Sequence, residues 1–307
     1  MSYDNILDIQ GFAGIDNTTD PSKLYYNRKT GKIFLRSGVN IDINDDDRIQ
    51  RAVGIDSVQP GDFHSFWTTV DGSYGFIIQS GTIYRVDWNG SSVSLTSLKT
   101  DLSIGSPMVY TETDERVFMT NGFWIGYYEN GTIYDIAAPG QEFKEKLPAG
   151  HLIEFFNNQL YVAVDRIIFF SDSVAWSRTD YLKNYIPLLG RVRMIQAVDG
   201  GLFVSDDKEI SFLAGETGLE LKYNFKLDVP VFTGGFKKVA GKMIGSDTPP
   251  EGNVVVMLTS KGIFLGGPGG MFSDMTGGKY IPTEMHDVNG LIRVDPDKHQ
   301  IIFIGVL

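Results

Sequence analysis

Groups of short apolar segments recur along this 307-residue chain, and their period constrains its fold more than any other feature. Leu152-Ile-Glu-Phe-Phe156, Leu160-Tyr-Val-Ala-Val164 and Ile167-Ile-Phe-Phe170 make one group; Met194-Ile-Gln-Ala-Val198, Leu202-Phe-Val-Ser205 and Ile210-Ser-Phe-Leu213 make another. The first segments of successive groups start near His64, Met108, Leu152, Met194, Val239 and Leu291, at spacings of 44, 44, 42, 45 and 52 residues. The segments are rich in β-branched and aromatic side chains, as strands are. They are punctuated by Asp71-Gly72, Asn89-Gly90, Asn121-Gly122, Asn130-Gly131, Asp199-Gly200 and Asn289-Gly290, pairs that tolerate the positive φ of hairpin turns. The clearest hairpin runs from Trp124 to Tyr128, turns at Glu129-Asn130-Gly131, and returns over Thr132 to Ile136. No long stretch carries apolar residues at helical spacing. A roughly 40- to 50-residue unit of about four strands that buries its faces against its neighbours is a β-propeller blade.

The expected fold is therefore all-β, a β-propeller with six blades. The last group has only two strands, Leu291-Ile-Arg-Val294 and Ile301 to Val306. Lys23-Leu-Tyr-Tyr26 and Lys32-Ile-Phe-Leu-Arg36 are spare strands that can complete this last blade and close the ring, removing an open edge. A five- or seven-bladed ring and a pair of β-sandwiches are the competing solutions. No linker interrupts the pattern, so residues 1–22 read as an arm and 23–307 as one propeller domain. Ser173 to Leu189 and Gly245 to Gly252 read as long insertions between strands.

Composition narrows the chemistry. Net charge is −11, from 27 basic and 38 acidic residues, which disfavours backbone-driven nucleic-acid binding. The absence of cysteine excludes disulfides, thiolate-bound zinc, iron–sulfur clusters and a cysteine nucleophile. The first ten residues lack the basic and apolar regions of a signal peptide, and no apolar run reaches the roughly 18 residues of a membrane helix. The four histidines, His64, His151, His286 and His299, have no metal-ligand spacing among them. Asp42-Ile-Asn44-Asp45-Asp46-Asp47 could wrap calcium, but Asp47 replaces the glycine of an EF-hand loop and Val53 its bidentate glutamate. A solvated acidic turn is the simpler reading.

Enzyme markers are missing. There is no Asp-box turn, since Ser171-Asp172-Ser173 to Trp176 lacks the glycine and the spacing, and there is no Gly-x-Ser-x-Gly elbow. Trp-Asp and kelch signatures are also absent. Gly262 to Gly270 is glycine-rich but lacks the Gly-Lys-Ser/Thr ending of a phosphate loop, and reads as a turn between strands. Asn17-Thr-Thr19, Asn89-Gly-Ser91 and Asn130-Gly-Thr132 match glycosylation acceptors but read as turns. Paired catalytic carboxylates are not addressed by sequence spacing alone.

Several segments, in order, carry a family likeness. They are Gly38-Val-Asn-Ile-Asp42, Arg48-Ile-Gln-Arg51-Ala-Val-Gly54, His64-Ser-Phe-Trp67, Gly81-Thr-Ile-Tyr-Arg85, Phe170-Ser-Asp172, Val198-Asp-Gly-Gly-Leu-Phe-Val204, Phe212-Leu-Ala-Gly215, Lys261 to Gly267, Gly269-Gly270 and Met275-Thr276. Together they resemble the β-propeller tail accessory, or nozzle, proteins of short-tailed bacteriophages. The resemblance implies a non-enzymatic virion protein, made in the host cytoplasm, without catalytic residues, metal or cofactor. It implies a self-assembled ring, expected as a hexamer, below the portal and adaptor and above the tail fibre or spike. Packaged DNA would pass nearby without specific binding, and no membrane is involved. This chain is short for that group, so domains that dock fibres are not expected.

One loop has the composition of a contact surface. Trp176, Arg178, Tyr181, Lys183, Tyr185 and Ile186 combine aromatics with basic residues, as protein interfaces do. A carbohydrate- or receptor-binding propeller is the second reading, and a propeller glycosidase the third.

Overall fold

The computed structural model describes residues 11–20, 32–37, 41–43, 49–51, 59–113, 115–137, 140, 143–244, 250–283, 285–295 and 298–306. It is nearly all β, with two short 3-10 turns and no α-helix among these residues. Four short strands come first: β1 (Gly11–Ile15), β2 (Lys32–Leu35), β3 (Ile41–Ile43) and β4 (Ile49–Arg51). Five four-stranded sheets follow, each an antiparallel succession. The first holds β5 (His64–Thr68), β6 (Gly75–Gln79), β7 (Thr82–Trp88) and β8 (Val93–Lys99). The second holds β9 (Val109–Glu112), β10 (Val117–Thr120), β11 (Ile125–Glu129) and β12 (Thr132–Asp135). A short strand β13 (Glu145–Lys146) precedes the third sheet, β14 (Leu152–Phe156), β15 (Gln159–Val164), β16 (Ile167–Phe170) and β18 (Tyr185–Pro187), and pairs with β17 (Arg178–Thr179). The fourth comprises β19 (Met194–Val198), β20 (Gly201–Ser205), β21 (Ile210–Ala214) and β22 (Lys222–Leu227). The fifth comprises β23 (Val231–Ala240), β24 (Asn253–Thr259), β25 (Gly262–Gly267) and β26 (Met271–Asp274). The chain ends on the hairpin β27 (His286–Asp295) and β28 (Lys298–Val306).

The turn chemistry works as the residue pairs imply. At Asn130-Gly131 both φ values are positive, 48° and 86°, and Glu129 faces Thr132 across a two-residue hairpin turn. The core is a series of layers, each shared by two consecutive sheets. Phe76, Ile78 and Ile83 meet Met108, Val117 and Met119. Phe118 and Ile125 meet Ile153, Leu160 and Val162. Tyr161, Ile168 and Phe170 meet Ile195, Leu202 and Val204, and Phe203 and Phe212 meet Val255, Met257 and Phe264. Each such side chain contributes about 1.5–3 kcal/mol by leaving water. Because layers lie on both sides of a sheet, its middle strands are buried on both faces; β10, β20 and most of β15 are continuously buried. Outer strands face water and are mostly polar or half-exposed, as in β22. This radial, propeller-like packing explains why inner and middle strands read as unbroken apolar runs.

Two local features differ from the sequence reading. First, the fifth and sixth repeats begin at Val231 and His286, upstream of Val239 and Leu291. Each long strand carries an irregularity, between Val231 and Phe236 and between His286 and Asn289, which breaks the apolar alternation. At Gly234 (φ 74°) a Cβ would sit 1.8 Å from the Val288 carbonyl oxygen, so only glycine lets β23 and β27 approach so closely. Second, the stretch from Ser173 to Leu189 is not wholly an insertion, since it supplies the fourth strand of its sheet, β18, with Ile186 opposite Ile168. That strand is three residues long and ends in Pro187, tolerated because it lies at an edge. Among the described residues β1, inside residues 1–22, pairs in parallel with β2, and β27 pairs with β28. Lys23–Tyr26, residues 245–249 and most of the Asp42–Asp47 run lie outside the described residues.

Candidate functional site

The first strands of consecutive sheets neighbour one another, and polar side chains stitch the sheets together. The Met108 amide donates to Ser65 Oγ at 2.8 Å. Thr120 Oγ1 accepts from the Gly150 amide at 3.1 Å and donates to the Gly150 carbonyl at 3.0 Å. His151 Nε2 meets the Val192 carbonyl at 2.7 Å, so the neutral ring donates from Nε2. The Val231 amide donates to Ser205 Oγ at 3.1 Å. Each bond ties one sheet to the start of the next.

A polar centre joins three sheets. The Glu154 side chain, 3% exposed, accepts Lys238 Nζ at 2.9 Å on Oε1. The same oxygen accepts Thr111 Oγ1 at 3.2 Å and the Phe155 amide at 2.9 Å. Thr111 lies on β9, Glu154 on β14 and Lys238 on β23, so the ion pair links the third sheet to the fifth, past the fourth. Burial pushes the neighbouring Lys237 ammonium down, and the Lys238 charge adds to that.

Beside this pair lies a cavity of about 410 Å³. An antiparallel succession places the turns after each first strand at one end of the sheets. The cavity is lined around that end: Glu112, the last residue of β9, Asn157 after β14, Asp199 and Gly200 after β19, with Glu216, Lys238 and Asn253. Asn157 Nδ2 donates to Glu216 Oε2 at 2.8 Å and to the Glu216 carbonyl at 3.0 Å. Burial raises the Glu112 carboxyl, against a hydrogen bond from the Val70 amide, and the Asp71 charge adds to the rise. The groups present suit hydroxyls, amides or a cation. Among the described residues no three acidic or histidine side chains converge as a metal site.

The six loop residues of the sequence reading divide. Trp176 is half-buried, edge-on to Phe118 and Phe155, with Nε1 donating to the Asn158 carbonyl at 3.0 Å. Arg178 Nε lies 3.0 Å from Asp172 Oδ2, and Ile186 packs on the layer between the third and fourth sheets. These three hold the loop to its own chain. Tyr181, Lys183 and Tyr185 are exposed, although the Tyr181 hydroxyl donates to the Lys146 carbonyl at 2.7 Å. Asp172 is the hub: Lys144 Nζ and Asn184 Nδ2 reach its Oδ1 at 2.9 and 3.1 Å. Burial would raise this carboxyl, but Lys144, Asn184 and Arg178 outweigh it and the group is held low.

His64 Nδ1 meets Ser65 Oγ at 2.8 Å; the side chains of His286 and His299 lie outside the described residues. Pro268–Gly270 form the turn between β25 and β26, as the glycine-rich stretch implied. Asn89 Oδ1 accepts the amides of Ser91 and Ser92, a turn as read. Sequence reasoning passed over Glu112, Glu154, Asp199, Glu216 and Lys238. The one usable signal was Glu154, a carboxylate inside the apolar run Leu152 to Phe156.

No family model matches this chain, and no curated protein does. Among solved structures, the extracellular domain of a protein described as a hybrid two-component system, BT4673 of B. thetaiotaomicron, has a TM-score of 0.50 at 11% identity. It is covered over 33% of its length by 84% of this chain. The extracellular domain of BT4673 described as a one-component system matches with a TM-score of 0.48 at 10% identity, over 78% of this chain and 30% of that one. A Bacteroides fragilis protein described as a 6-phosphogluconolactonase, BF1038, matches with a TM-score of 0.49 at 10% identity, over 78% and 83%. The chain thus spans about a third of the length of the BT4673 domains, and at these identities the likeness concerns the fold alone.

Proposed function

We propose that this chain is a non-enzymatic structural protein of a phage virion, a six-bladed propeller that assembles as a ring, expected as a hexamer, in the tail or neck. The nozzle position, below portal and adaptor and above fibre or spike, follows from the family resemblance, whose segments run in order from Gly38 to Thr276. The structural observation that supports it most is the rigid stitching of sheet to sheet by buried polar groups, while the outer strands β8, β12, β18, β22 and β26 keep an edge without a strand partner among the described residues. A stiff body with free lateral edges is suited to side-by-side assembly.

Closure of the sixth blade is part of the proposal. Asn17 Nδ2 donates to the Ile281 carbonyl at 2.8 Å, and its Oδ1 accepts the Ile281 amide at 2.9 Å. Lys279 Nζ sits 4.0 Å from the centre of the Phe34 ring. The N-terminal strands are thereby held against the segment that leads into β27, where a final blade needs them. With a net charge of −11, passing DNA is repelled rather than held.

The test is location and copy number. Particles purified on a density gradient are probed for this chain by quantitative mass spectrometry. Co-sedimentation at about six copies, or a multiple, supports the reading; a chain confined to the soluble fraction refutes it. The cavity at Glu112, Asp199 and Glu216 favours a second reading, a carbohydrate-binding propeller. Glycan-array binding that is lost in Glu216→Gln would replace the first reading with this one.

A further inference from the structure

We propose that β22 is a docking edge for residues 4–9 of a second copy of this chain, which add to the fourth sheet as a fifth strand. This rests on the ring reading above.

Among the described residues β22 pairs with β21 on one side only. Tyr223 and Phe225 are 54% and 49% exposed, and Leu219, in the loop before the strand, is 72% exposed. Lys222 and Asn224 occupy the other face. Alternation puts Lys226 on that same face, with its Nζ 5.9 Å from the Phe212 ring centre, just before a register shift that brings Leu227 opposite Ile210. Neither Lys222 nor Lys226 has an ion-pair partner among the described residues. Lys99, Arg116, Arg193 and Lys238, also on or beside strands, all have one. The edge therefore presents two positive charges four residues apart on one face and two aromatic rings on the other.

Ten residues, Met-Ser-Tyr-Asp-Asn-Ile-Leu-Asp-Ile-Gln, precede β1. Extended, they reach about 33 Å. In a strand, Asp4, Ile6 and Asp8 share one face, and Asn5, Leu7 and Ile9 the other. The two carboxylates are four residues apart, as the two lysines are. Laid antiparallel on β22, Asp8 falls opposite Lys222, Asp4 opposite Lys226, and Leu7 opposite Tyr223. Opposite charges and apolar–aromatic partners are the cross-strand pairs that stabilise a sheet, and backbone hydrogen bonds complete the addition. The competing role for edge lysines is to keep strands from pairing at all; it gives Asp4 and Asp8 no part.

The chain has no cysteine, so introduced thiols are unique. Full-length Leu7→Cys, isotopically labelled, is mixed with unlabelled Tyr223→Cys under mild oxidation, and mixed disulfide peptides are counted by mass spectrometry. A parallel mixture with Thr132→Cys, on β12, sets the random level. The expected yield is at least five-fold above it. Asp4→Lys with Asp8→Lys in the first copy should abolish the excess, and Lys222→Asp with Lys226→Asp in the second should restore it. A yield at the β12 level overturns the proposal, as does an excess indifferent to the charge reversal. In the double variant Leu7→Cys/Tyr223→Cys, a disulfide formed only within one chain also overturns it. Native mass spectrometry of the wild type separates the two readings. Rings without mixed disulfide refute the strand addition alone, whereas a monomer at every concentration refutes the ring and the strand addition together.

Discussion

Replacing Lys238 by methionine tests the polar centre directly. The change keeps the length of the side chain and removes the cation from a carboxylate that is 3% exposed. Breaking a buried pair in this way costs about 3–5 kcal/mol, because the remaining charge is stranded. Two features reduce that here. The Lys238 side chain is 33% exposed, and Glu154 keeps its bonds from Thr111 Oγ1 and the Phe155 amide. A loss of about 2–3 kcal/mol remains. Unfolding entropy scales with chain length, so for 307 residues this is a fall of about 3–5 °C in Tm. Thermal melts of the wild type and the variant measure it. Glu154→Gln combined with Lys238→Met should recover at least half of the loss. A fall below 1 °C, or a loss that the double variant does not relieve, refutes the reasoning.

Three further outcomes follow from single residues. Burial, with the Arg191 charge, lowers the His151 imidazole against the opposing hydrogen bond to the Val192 carbonyl, so stability is full above about pH 6.5 and falls on acidification below it; His151→Gln should flatten the melts between pH 7 and 5. The Tyr110 hydroxyl is buried with no hydrogen-bond partner among the described residues, and Tyr110→Phe should raise stability by about 1 kcal/mol in chemical denaturation, a loss instead revealing a bound partner. Asp172→Asn weakens the ties to Lys144 and Arg178 and should speed proteolytic cleavage between residues 173 and 184 by several-fold. Since this carboxyl is held low, its contribution is present above about pH 4 and lost as pH falls through its folded value, so wild type and variant should converge on strong acidification.

The strands and turns were legible in the sequence because their causes are local. Asn130-Gly131 makes a tight turn wherever it stands between apolar segments, and Leu152–Phe156, Gln159–Val164 and Ile167–Phe170 follow the segmentation of the apolar pattern within a residue. The 44-residue steps from His64 to Leu152 likewise place first strands correctly, because each repeat must bury the same faces against its neighbours. Where the pattern is interrupted by a bulge, as at Gly234, or shortened to three residues at an edge, as at Tyr185–Pro187, the local signal fades and the strand bounds were misjudged.

Trp176 and Ile186 show the limit from the other side. Composition gave them to a surface loop, yet Trp176 packs on Phe118 from the preceding sheet and Ile186 on the layer shared with the next. The polar centre was further out of reach. Glu154 and Lys238 are 84 residues apart, and Glu112 ends a strand of the second sheet while Asp199 and Glu216 lie in separate loops of the fourth. Their meeting depends on the angle between successive sheets, which is set by how layers such as Phe203 and Phe212 against Met257 and Phe264 fill the space between them. A linear sequence determines which faces each strand must bury; only the packed layers decide which distant charges then share one site.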